Sequence, residues 1–206
     1  ARFYAKSGGI QLGVGHIIGA LEAMPGQYAI DLGLTGLGYE YVAHAYKADA
    51  YTSRGVGASG TNGVEVMYSM GDFAAHISAS DTNDRIAAYG AYTMNGWTAA
   101  LGLQDSNADS DVEATLTVGG TVGPVSLGLG YSQTGDDIDR AIITAGMDVG
   151  AATNVEAYYA DETDAADNSY GIDFNHDLGG GTSLRGGVVN RFDGQVRADF
   201  GVRFNF

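Results

Sequence analysis

From Val64 to the end of the chain, apolar and polar residues alternate with a period of two, in segments of roughly eight to ten residues separated by turns. In the last segment Val196, Ala198, Phe200, Val202, Phe204 and Phe206 share one face, while Arg197, Asp199, Gly201, Arg203 and Asn205 share the other. Val112, Ala114, Leu116 and Val118 oppose Glu113, Thr115 and Thr117 in the same way. The pattern predicts strands near Val64–Met70, Phe73–Ala79, Arg85–Met94, Trp97–Gln104, Val112–Gly119, Val125–Ser132, Arg140–Val149, Asn154–Ala160, Tyr170–Leu178, Ser183–Val189 and Val196–Phe206.

The connections are of two kinds, taken strictly in turn. Gly71-Asp72, Asn95-Gly96, Gly123-Pro124, Gly150-Ala151-Ala152 and Gly179-Gly180-Gly181 are tight hairpin signals. Ser80–Asp84, Asp105–Asp111, Gln133–Asp139, Asp161–Asn168 and Asn190–Gly194 are longer and rich in Asp, Asn, Ser and Thr. Short turns at one rim and long polar loops at the other are how a transmembrane β-barrel is built. Period alone does not say which face is outside. Two features place lipid against the apolar face. Its aromatics sit near strand ends (Phe73, Tyr92, Trp97, Tyr131, Tyr159, Tyr170, Phe204, Phe206), as an interfacial girdle would, and charged residues recur at mid-strand, where an aqueous interior would hold them.

The N-terminal part differs. Arg2–Lys6, Ser7-Gly8-Gly9 and Ile10–Ile18 read as a hairpin, which brings the strands to thirteen. Gly19–Asn62 then shows no clean period, and a stretch of that length inside a domain is usually functional or the mark of a wrongly assigned element. Gly19–Met24 is suited to one helical turn, stopped by Pro25.

Composition narrows the function classes. With 33 Gly, 13 Tyr and 2 Pro the chain favours strands and tight turns. It has no Cys, so disulfides and thiolate metal sites are excluded. A formal charge of −15 disfavours nucleic acid, whose phosphates need a basic footprint. Mean hydropathy is −0.06 and no apolar run approaches the roughly 20 residues of a membrane helix; a barrel with only alternate residues in lipid reads the same way. The four His (His16, His44, His76, His176) show no metal-ligand spacing, and no nucleophile elbow or phosphate loop appears, so an enzyme is not expected.

Taken in order, these features resemble the trimeric general porins of the Rhodobacter type. The resemblance covers essentially the whole chain. It is carried by the hairpin into the long loop, Leu37-Gly38-Tyr39-Glu40 within it, Ala58-Ser59-Gly60 before Gly63–Tyr68, Thr153–Asp161, Asp177–Gly181 and the ending Ala198–Phe206. The resemblance implies an all-β, sixteen-stranded antiparallel transmembrane barrel in one domain (1–206), with about the last thirteen strands represented here and N-terminal strands missing from this chain. Bacterial single-chain barrels use even strand numbers, which supports the same expectation. It also implies a homotrimer in the bacterial outer membrane, in contact with lipid and lipopolysaccharide, that passes small hydrophilic solutes and ions by passive diffusion.

On this resemblance 19–62 is the pore-constricting third loop. Its acids Glu22, Asp31, Glu40 and Asp49 are candidates for the constriction, with Lys47 and Arg54 as local partners; Arg2, Lys6, Arg185, Arg197 and Arg203 are candidates for the basic wall. The alternative for the loop acids is plain solvated charge, and for Arg197 and Arg203 an ion pair with neighbouring Asp199. Phe204 and Phe206 are similar to the C-terminal assembly signal of such barrels. No cofactor is required. The acidic loops leave Ca²⁺ open as a ligand, since it takes carboxylate and carbonyl oxygens, but none has EF-hand spacing. Two rival readings are a non-channel outer-membrane barrel with a structural or adhesion role, and a soluble β-sandwich whose apolar face is a core.

Overall fold

The computed structural model describes residues 1–44, 62–81, 84–107, 111–134 and 137–205. The described residues form one antiparallel sheet of 13 strands that hydrogen-bond in chain order, with β1 and β13 at its edges. The strands are β1 (Arg2–Ser7), β2 (Ile10–Gly15), β3 (Gly63–Met70), β4 (Phe73–Ser80), β5 (Ile86–Met94), β6 (Trp97–Asp105), β7 (Glu113–Val122), β8 (Val125–Gln133), β9 (Asp139–Asp148), β10 (Thr153–Glu162), β11 (Ser169–Gly179), β12 (Thr182–Asn190) and β13 (Val196–Phe204). Each alternating segment of the sequence becomes a strand, because only a regular ladder pairs every backbone group while giving each side chain its own face. Of the expected strands that come out shorter, the second of the first hairpin loses most. β2 stops at Gly15 rather than Ile18, since Gly15 takes φ 103° and turns the chain inward, where Ile17 is fully buried.

The apolar face of the sheet is open. Leu12, Val66, Ile77, Leu101, Leu116, Leu129, Ile143, Ile172, Val188 and Phe200 are all exposed, as are the girdle residues Phe73, Tyr92, Tyr131, Tyr159, Tyr170 and Phe204. An uncovered apolar surface on every strand is incompatible with a soluble sandwich, which would bury that face as its core. Among the described residues no helix is long and apolar enough to cross a membrane, a statement that bears on helices alone.

Burial lies on the other face, which residues 17–44 cover. Ala20, Leu21 and Met24 pack on Ala87, Ala91 and Ala100 of β5 and β6. Further along, Ile30, Leu32, Leu37, Tyr41, Val42 and Ala43 pack on Ile142, Tyr158, Ala160, Val189 and Phe192. The apolar core is thus a seam between an aperiodic segment and the mostly polar face of the sheet. The short turns all fall on one rim and the longer loops, including the inner segment, on the opposite one.

Candidate functional site

The inner segment has a root and a tip. At the root, Gly19–Met24 forms the expected helical turn, with Ala23 donating to the Gly19 carbonyl at 2.9 Å. The Ala20 N–H donates to Ser78 Oγ on β4 at 2.8 Å. Three small wall residues, Ala87, Ala91 and Ala100, leave room for Leu21 and Met24. The Thr117 hydroxyl donates to the Pro25 carbonyl at 2.6 Å. Gln27, fully buried, ties the two arms of the segment together: its Nε2 donates to the Leu21 carbonyl at 3.1 Å and its Oε1 accepts from the His44 N–H at 2.9 Å. The His44 ring bridges to the wall, 2.8 Å from Thr115 Oγ1 and 3.1 Å from Glu113 Oε2. Arg140 on β9 donates to the Val42 and His44 carbonyls at 3.1 and 3.3 Å.

The tip is held differently. Three carboxylates on the sheet accept its backbone N–H groups. Asp31 N donates to Glu156 on β10 at 3.0 Å, Gly33 N to Asp173 on β11 at 2.7 Å, and Leu34 N and Thr35 N to Asp199 on β13 at 3.0 and 2.8 Å. Thr35 Oγ1 adds a third donor to Asp199 at 2.7 Å. The sharp run of outward N–H groups needs a left-handed residue, and Gly33 supplies it with φ 64°. A Cβ there would stand 2.6 Å from Asp199 Oδ1, so glycine also permits the close approach.

The side chain of Asp31 completes the tip. It lies 2.8 Å from Arg185 Nη1 on β12 and 3.3 Å from Arg203 Nη1 on β13, while Arg185 Nη2 donates to the Asp31 carbonyl at 2.6 Å. Arg185 is 5% exposed in its side chain, whereas Asp31 is 65% and Arg203 47% exposed. Charge on this cluster therefore faces water, and the longer Asp31–Arg203 pair adds little to stability.

The structure brings together three residues named from sequence, Asp31, Arg185 and Arg203. Others lie elsewhere. Glu22 is half-buried in the root turn. Glu40 pairs with Arg191 at 2.7 Å and accepts the Phe192 N–H at 2.9 Å. Arg2 donates through Nε to Glu65 on β3 at 2.6 Å, and Lys6 and Arg197 are exposed on β1 and β13. Phe204 is exposed at the end of β13. Asp49, Lys47, Arg54 and Phe206 lie outside the described residues. Asp199, the alternative partner for Arg197 or Arg203, instead holds the tip, because three donors of the inner segment converge on its oxygens. Sequence reasoning did not single out Glu156, Asp173, Arg140 or Arg191; the signal for the first three was an inward charge on an otherwise alternating strand. Among the described residues no group of three or more His, Asp or Glu is placed to hold a metal ion.

A meander with its apolar face outward, and a long segment laid on its polar inner face, is the porin fold. The comparisons agree. No family model matches the chain. The chain is 27% identical, across an alignment of 232 positions, to a porin of Fuscovulum blasticum, covering 100% of this chain and 76% of that one. Among solved structures, variants of Rh. blastica porin superimpose with TM-scores of 0.86 and 0.83, at 22% and 21% identity, over 100% of this chain and 76% of theirs. The resemblance to the Rhodobacter-type porins thus holds from one end of the chain to the other.

Proposed function

We propose that the protein is an outer-membrane porin that forms a water-filled channel, through which small hydrophilic solutes and ions diffuse passively, and that it works as a homotrimer. The observation that carries this reading is the path of residues 17–44. They cross the polar face of the sheet while the apolar face stays uncovered. A plugged or purely structural barrel needs no such segment, and nothing in the geometry favours that alternative. Catalysis has no part in the reading.

In this reading 19–62 narrows the pore. Asp31 is the acid at the narrowest point, with Glu22 behind it and Glu40 fixing the far arm, and Arg185 and Arg203 are the basic wall it faces. Arg2, Lys6 and Arg197 extend the basic side. An acid and two guanidinium groups across a narrow aqueous gap set up a transverse field that orients dipolar solutes and sorts ions. The test is conductance in planar bilayers, with polyethylene glycols of graded size to measure the opening. Stepwise openings grouped in threes are expected; a refolded protein that never conducts would overturn the reading.

A further inference from the structure

At the long-loop rim, between the inner segment and the β8–β9, β10–β11 and β12–β13 loops, lies a recess of about 690 Å³. Tyr39, Glu40, Arg140, Asp164, Arg191 and Phe192 line it. It is distinct from the Asp31 cluster, which shares none of its lining residues.

We propose that this recess captures neutral polyhydroxylated solutes of one or two sugar rings before they pass the inner segment. Its place on a diffusion path rests on the channel reading; its binding does not. Its charges are already matched. Arg140 is paired with Glu162, and Arg191 with Glu40 and Asp193. An added anion would have to compete with Glu40 and Glu162, and an added cation with the two arginines. Hydroxyl groups need no such exchange, because they donate and accept at once. One donor beside the recess is left unspent. Arg191 spends Nη1 and Nη2 on carboxylates, but its buried Nε has no hydrogen-bond partner among the described residues. Gly38 keeps the space beside that nitrogen open, since a Cβ would fill it at 3.0 Å.

Tyr39 supplies the platform. It lines the recess, is 49% exposed, and rests on Gly36, whose missing Cβ would meet the ring at 2.5 Å. The π face of an aromatic ring is negative, and the axial C–H groups of a pyranose are weakly positive, so the two stack. A volume of this size lies in the usual range for pockets that enclose a small organic ligand.

The test is calorimetric titration of the folded protein in detergent with maltose, together with current recordings in bilayers. Saturable binding with a Kd on the order of millimolar is expected. Tyr39→Phe should keep it, while Tyr39→Leu and Asp164→Asn should each weaken it about tenfold or more. Glutamate, spermidine and a polyethylene glycol of matched size should show no saturable binding. Heat of binding without any conductance would keep the site and count against the channel. Conductance without maltose binding, or equal affinity in Tyr39→Phe and Tyr39→Leu, would overturn the site and leave the channel standing.

Discussion

The root and the tip of the inner segment are fastened to the same sheet by different forces. At the root, Leu21 and Met24 lie in a dry seam against Ala87, Ala91 and Ala100, and buried Gln27 and His44 complete it with neutral or ring-mediated hydrogen bonds. At the tip, Glu156, Asp173 and Asp199 grip backbone N–H groups, and Asp31 answers two arginines in an exposed setting. Apolar burial is not screened by salt, whereas exposed charge is. The difference teaches that position and tuning are separable here: the root fixes where the segment sits, and the tip sets what charge it presents.

Breaking the root should cost most. Leu21→Ala removes a fully buried side chain, and such truncations cost roughly 2–5 kcal/mol; thermal unfolding in detergent should fall clearly, and an unchanged midpoint would refute a packed root. Gly33→Val attacks the tip twice, through φ 64° and through the Cβ clash with Asp199, and strain of this kind costs on the order of 1–3 kcal/mol. Its expected outcome is a displaced tip, seen as a changed size limit for polyethylene glycols with little change at the root.

Asp199→Asn keeps one acceptor oxygen but loses the charge, and charge-assisted bonds exceed neutral ones by about 1 kcal/mol. Amides 34 and 35 should exchange with solvent several-fold faster, while those of 20–24 stay protected. Equal loosening at both ends would collapse the distinction between them. Asp31→Asn should move stability least, under about 1 kcal/mol, because the carboxylate is exposed. Its effect should appear in the reversal potential across a salt gradient, shifted toward anions as Arg185 and Arg203 lose their counter-charge.

The strands were legible because alternation is a local signal, and pairing in chain order needs nothing more than neighbouring turns. The inner segment was legible only as an exception to that rhythm. Its helical turn could be placed from Gly19–Met24 and Pro25, but not its docking. Gly33 meets Asp173 across 140 positions and Leu34 meets Asp199 across 165, with no periodic mark to announce either bond. Asp31, Arg185 and Arg203 could each be named as charges of the right sign and face. Their convergence, and the pairing of Glu40 with Arg191 instead, depend on a path that sequence does not spell out. Asp199 shows the limit well: nearest in sequence to Arg197 and Arg203, it serves a segment from the other end of the chain.

The two rims described above also give the molecule two chemically unlike ends. Turns such as Gly123-Pro124 and Gly179-Gly180-Gly181 carry no ionised side chain, whereas the opposite rim carries Asp105, Asp111, Asp137, Asp161, Asp164 and Asp167. Dragging bare carboxylates through hydrocarbon is prohibitive, and dragging a tight hairpin turn is far cheaper. Once a barrel built this way spans a bilayer, its acidic rim cannot slip back through the hydrocarbon, so the orientation it takes is kept. In the proposed channel a solute therefore meets two unlike mouths, one rich in carboxylates and one poor in them.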